Sequence, residues 1–430
     1  MLVLVLGNLS QSFWWASPAL VTEHGLGFTS VAVALAVLTL VGLLFQAERL
    51  LLYAYNPFAL SESASLFPPV RSPWLNLFLF SALIGGVLLA SHHMLVASWQ
   101  SNLLVSLYTE QGTFPNFPLL LASQQQLIGG FGEQLLWLLY VLGGLMLIAL
   151  VLTMRLIFVW VLVLLVLDLL LVFGFLFVHE LPLPSLLEEL PSSDYLFFDG
   201  FVLVLETSLA GFGLVFACSR WRGHAAQAGW LLCMLVLLGA GYVLHLIAAW
   251  QFARFTWVGE TPGSDRLLLH LPYVFYQSGS DWLYWAWFAL TAMLAWIKTG
   301  AILLFGAVII ARLARVSIAS TQLMLVILVG FLTLCWLAIG HFGQGAEQNA
   351  MTLLFELLFE GFMTLWYPLH VLLLCSLALA VPTEDHAVFV WREYRVLGLL
   401  LRFGYVPLMA FLLWYLLDLA GVPLPVSFQL

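Results

Sequence analysis

Charged residues are scarce in this sequence. Only 8% of the 430 residues are Asp, Glu, Lys or Arg, against about 25% in a soluble domain. Lysine occurs once, at Lys298, and the other twelve basic residues are Arg. Too few polar side chains exist to coat a water-facing surface of this size, which excludes a soluble enzyme, a secreted domain and a disordered chain. No basic cluster is present to meet nucleic acid. The four Cys (Cys218, Cys233, Cys335, Cys375) lie in apolar runs without CxxC spacing, so neither a disulfide framework nor a metal centre is implied. The ten His are scattered and form no paired set for haem, His92 and His93 being adjacent and so divergent on a helix. No P-loop, HExxH or Ser-His-Asp grouping appears, and no cofactor is expected. The opening residues, MLVLVLGNLSQSFWW, carry no basic charge, so neither a secretory signal nor an Arg-rich transit peptide is expected.

What is abundant is hydrocarbon. Hydrophobic residues make up 63% of the chain, and its mean hydropathy is +1.06. Runs of roughly 20 apolar residues, enough to cross a bilayer, fall near 28–47, 74–98, 130–153, 156–178, 200–219 and 229–249, with a seventh opening near Trp282. The fold class expected is an all-α polytopic membrane protein. Between the runs, residues 56–73, 111–126 and 180–200 are rich in Pro, Gln or acid. Connecting segments on one side carry Arg49, Arg71, Arg155, Arg220 and Arg222, against Arg254 and Arg266 on the other. The positive-inside rule makes the first of these the cytoplasm-equivalent or matrix side.

Residues 282–381 hold the most unusual pattern. No Pro occurs between Pro272 and Pro368. Thr299 to Gly340 reads as one helix of 42 residues, roughly 63 Å long, where the hydrocarbon core is only about 30 Å thick. Either it breaks, with Gly300 and Gly306 as candidates, or it lies strongly tilted. Glu347 to Val381 is similarly long, so the expectation is an overlong, tilted helical hairpin over about 299–381 that follows several ordinary spans.

Inside this hairpin stand Arg312 and Arg315. A guanidinium at membrane depth costs at least ~2.5 kcal/mol and stays charged. One reading is an Arg snorkelling to the interface or anchoring a helix end; the other is a fixed cation facing a water path or a carboxylate. Arg312, Arg315, Ala319 and Gln322 share a stripe at i+3 and i+4 steps. Glu356 and Glu360 share a face of the next helix, and His370 follows after Pro368. The two Glu either pair structurally with an Arg or exchange protons. Asp168 and Glu206 are lone intramembrane acids, and Glu133 lies near a span end.

The segment Ile297 to Gly330, IKTGAILLFGAVIIARLARVSIASTQLMLVILVG, resembles the signature helix of subunit a of F-type ATP synthases, the mitochondrial form above all. That helix begins I-E-T, reaches an R-L pair fourteen residues after the Glu and ends in H-L-L-M-V-I-L-A-G. Here Ile297-Lys298-Thr299, Arg312-Leu313 and Gln322 to Gly330 stand in those places, after one inserted residue. The departures are Lys298 for Glu, Gln322 for His, and Val316 or Ser317 for an Asn. Roughly 100 of 430 residues carry the likeness.

The resemblance implies a non-catalytic, proton-translocating stator subunit that forms two half-channels against a rotating c-ring. Arg312 would separate the channels and Arg315 reinforce it. Glu356 or Glu360 would relay protons, with Gln322 and His370 nearby, and Glu384, Asp385 and His386 would lie at a channel mouth. It further implies other membrane stator subunits, lipids such as cardiolipin and an ATP synthase complex, monomeric or dimeric. The location would be the mitochondrial inner membrane, with the N-terminus on the intermembrane-space side. The chain would divide into an N-terminal multi-span extension (1–281), the proton-translocating core (282–386) and an added C-terminal helix (387–430). Two alternatives from other classes are a structural membrane subunit without a proton path and a secondary transporter. The transporter predicts an internal repeat and a broken-helix site, and neither is visible in the sequence.

Overall fold

The structure, a computed structural model, describes helices α1 (Leu26–Ala36), α2 (Gly42–Tyr55), α3 (Pro73–Thr109), α4 (Phe131–Val151), α5 (Ala228–Ala253), α6 (Asp281–Ala314), α7 (Ile318–Phe342), α8 (Tyr367–Ala380) and α9 (Arg395–Leu419). It also describes the short segments that join or flank some of them, and separate positions within 17–25, 159–173 and 200–213. The expected spans near 28–47, 74–98, 130–153 and 229–249 are helices. One π-turn, Val37–Val41, joins α1 to α2 without a break in the rod. A π-turn inserts one residue into the helical ladder and turns every later side chain relative to the earlier ones.

The helices are apolar almost all round, as buried or membrane-spanning helices must be. Leu26–Glu48, Pro73–Ser101 and Ile318–Ala338 are each long and apolar enough to cross a bilayer. Their exposed faces are hydrocarbon at helical spacing: Phe28, Val31, Leu35 and Leu38 on the first rod, Met324, Ile327, Leu328 and Phe331 on α7. Water would penalise such stripes, and lipid does not. Hydroxyls hide by bonding their own helix: Thr29, Ser91 and Thr333 each donate to the carbonyl four residues earlier, at 2.7, 2.9 and 2.7 Å. The chain is a multi-pass α-helical membrane protein.

The overlong helix expected at 299–340 does not form. Helix α6 ends at Ala314, and α7 starts at Ile318. Residues equally far from the turn meet: a Cβ on Gly306 would lie 3.2 Å from Leu325 Cδ1. The two are therefore an antiparallel hairpin, and Gly300 and Gly306 lie inside α6 instead of breaking it. The physical reason is local. The Val316 N–H closes the end of α6 on the Ala311 carbonyl at 3.1 Å. Ser317 then caps α7, its Oγ accepting the Ser320 N–H at 3.1 Å. An apolar stretch of twice the bilayer thickness satisfies lipid better folded back than slanted. Arg312 consequently sits in the last turn of α6.

Helix α3 is the hub. It packs along α6 and against α4, α7 and α8, while the α1–α2 rod lies against α5 and α8. One buried apolar core runs through all of them.

Candidate functional site

The predicted span at 200–219 is helical at Gly200, Leu203, Val204, Thr207 and Ser208, then leaves helical geometry over Ala210–Gly213. Gly211 and Gly213 have φ of 90° and 77°, a region that costs other residues and not glycine. Buried backbone that leaves helical geometry has carbonyls and N–H groups that must find partners elsewhere.

They find them on two other helices, α8 and α2. The Tyr367 hydroxyl donates to the Ala210 carbonyl at 2.6 Å. His370 Nε2 donates to the Gly211 carbonyl at 2.8 Å. The Gly213 N–H donates to Glu48 Oε1 at 2.9 Å. Nearer by, the Ala210 N–H donates to Ser208 Oγ at 3.2 Å. The carbonyl partner fixes the His370 tautomer with hydrogen on Nε2, so Nδ1 accepts from the Ser81 hydroxyl of α3 at 3.0 Å. Glu48 comes from α2 and is 0% exposed; His370 comes from α8 and is 1% exposed. Behind the segment, the hydroxyls of Thr207 and Tyr242 of α5 bond to each other.

Aromatic rings enclose these contacts. His370 stacks between Phe78 (centroids 4.9 Å apart) and Trp366 (4.8 Å), and Phe212 of the open segment stacks on Tyr367 at 5.0 Å. Trp366 reaches α3 because residue 85 is Gly. A Cβ there would overlap the Trp366 indole. Helix α8 is set up for this by Pro368 in its first turn, where a missing N–H costs nothing.

Next to the open segment lies a cavity of about 40 Å³ between α3, α6 and α7, with Phe212 in its wall. Among the described residues, no group of three or more His, Cys, Asp or Glu converges to hold a metal ion.

Of the residues singled out from sequence, His370 belongs to this site, but its partners are Ser81, Gly211 and three aromatic rings. Gln322 is buried in α7, 3% exposed. Arg312 stands at the end of α6. Arg315, Glu356, Glu360, Asp168, Glu206 and the tail Glu384, Asp385 and His386 lie outside the described residues. Sequence reasoning missed Glu48, Ser81, Tyr367 and Phe212. The signal available for the break was Ala-Gly-Phe-Gly inside an apolar run, since an isolated Gly pair permits backbone that no neighbour can adopt.

No family model and no curated protein matches the chain. Solved structures do match over nearly its full length. MhsT in complex with L-phenylalanine aligns with a TM-score of 0.67 at 14% identity, covering 96% of this chain and 97% of that one. A mutant manganese transporter from Eremococcus coleocola aligns with a TM-score of 0.60 at 12% identity, covering 98% and 94%. At such identities the likeness is one of fold.

That fold overturns the resemblance to ATP synthase subunit a. The similar structures are secondary transporters formed by single chains, not stators built against a rotor. The c-ring partner and the proton-translocating assembly go with it, and the separator role of Arg312 rested on that resemblance. The likeness in sequence came from an apolar helix with a terminal Arg, a composition that a hairpin helix shares with a stator helix. The multi-pass membrane location stands, while the mitochondrial inner membrane rested on that resemblance alone.

Proposed function

We propose that this chain is a secondary transporter whose solute site is organised by the open segment Ala210–Gly213. The observation that carries the reading is the set of three bonds from Glu48, Tyr367 and His370 to that segment. Backbone that leaves helical geometry within an apolar core is costly unless its freed groups do something. In secondary transporters, backbone unwound from helical geometry presents its dipoles to solutes and ions near the membrane midplane. The fold shared with solved transporters supports the same reading.

The chemistry favours an organic solute over a metal ion. Around the segment the described polar side chains, Glu48, Ser208, Tyr367 and His370, already bond to its backbone, and among the described residues no third His, Cys, Asp or Glu joins Glu48 and His370 to hold a metal ion. L-Phenylalanine and manganese, named in the similar structures, are the natural first probes. The full chain reconstituted in proteoliposomes is expected to take up L-phenylalanine or a related neutral amino acid saturably. Glu48→Ala is expected to abolish that uptake. Uptake indistinguishable from empty vesicles for both probes and for the neutral amino acids would remove the reading.

A further inference from the structure

The cavity beside the open segment has a wall without polar side chains. Its lining includes Ala82 and Gly86 of α3, Ile302 and Gly306 of α6, Leu325 of α7 and Phe212. A water in a cavity needs two to four polar partners, and apolar cavities instead bind apolar guests. The volume of about 40 Å³ exceeds the roughly 10–15 Å³ that one water-sized group requires. It therefore suits a short, branched hydrocarbon group.

The cavity adjoins the open segment. Phe212 belongs to both, and a Cβ on Gly213 would touch Ile309 at 3.4 Å and Ala82 at 4.0 Å, both lining residues. A solute could thus hold a polar end near the backbone of residues 210–213 and an apolar branch in the cavity.

Two glycines hold the space open on facing helices. A Cβ on Gly86 would lie 3.5 Å from Ile302 Cγ2, an ordinary contact. Alanine therefore fits at 86 without moving its neighbours, and its methyl enters the cavity. A Cβ on Gly306 would come within 3.2 Å of both Leu325 and Leu83, so 306 has less tolerance.

We infer that Gly86 is the size-determining residue of this pocket, which admits the short apolar branch of a small neutral solute. This rests on the transporter reading and adds the class of solute to it.

The test uses purified full-length chain in lipid nanodiscs and five probes, glycine, L-alanine, L-valine, L-leucine and L-phenylalanine, which share one polar end. Calorimetric titration of the unaltered chain is expected to show affinity rising with branch size to an optimum. In Gly86→Ala the largest tolerated probe should weaken about 10-fold or more, the scale of one methylene in an apolar pocket, while the smallest stays within about twofold. Leu303→Ala, which removes bulk from the lining, should shift the optimum to larger probes. Affinity independent of branch size, equal weakening of all probes by Gly86→Ala, or no binding of any probe would each overturn the inference. Size-graded binding without uptake in vesicles would count against transport and leave the size filter standing.

Discussion

Among the described residues, the chain leaves helical geometry at 316–317 and at 210–213, and the two departures are solved differently. At 316–317 the repair is local. Ser317 caps α7 through Ser320 and Thr321, the Val316 N–H closes α6, and Val316 to Ser320 are exposed. At 210–213 the repair is long-range. The partners Glu48, Tyr367 and His370 lie more than 150 residues away in sequence, and all are buried. A turn between two spans needs only to return the chain, so neighbours in sequence suffice. Backbone that leaves helical geometry inside the core ties its own position to two other helices, α2 and α8, and any motion of those helices reaches it. The contrast separates a connection from a site.

Substitutions can break that contrast or sharpen it. The largest effect is expected from His370→Ala, which removes both polar contacts and a ring stacked on Phe78 and Trp366. Unfolding in micelles should show a loss of about 3–5 kcal/mol, the range for buried aromatic truncation, with uptake abolished. A loss near zero would mean that the open segment does not depend on α8. Glu48→Ala leaves the buried Gly213 N–H without its acceptor and should cost about 1–3 kcal/mol. Glu48→Gln keeps an acceptor and should recover most of that stability in the same assay. Tyr367→Phe deletes one hydroxyl bond to the Ala210 carbonyl. Interhelical bonds in membranes average about 0.6 kcal/mol, with about 1.7 as an upper value, so a small destabilisation with a measurable fall in uptake is expected. Ser317→Ala closes the series. Loss of an exposed cap should cost about 0.5–1 kcal/mol and leave uptake unchanged. If it silenced uptake, the turn would belong to the mechanism and the contrast would fail.

The arginines show how a local pattern can mislead. Arg312 and Arg315 have apolar sequence on both sides, which reads as a cation at membrane depth. The turn that places residue 312 at a helix end carries no Pro or Gly. Its one mark in the sequence is Ser317, three residues before Ser320 and ahead of an apolar run, a signal easily lost among the small residues around it. The acidic site was obscured in the opposite way. Glu48 stands at the edge of a predicted span, where a carboxylate usually meets water. Only the packing of α2 against the open segment makes it a core residue.

Composition alone determined that this protein lives in a membrane, because 8% charged residues cannot solvate a surface while 63% hydrophobic residues can fill a bilayer. Apolar run length likewise determined most of the helices, since each must satisfy its own backbone in lipid. Where the chain reverses, and which carboxylate, imidazole and hydroxyl serve the open segment, was decided by tertiary structure. Those choices join residues more than 150 positions apart, and hydropathy, a property of neighbours, contains no term that couples them.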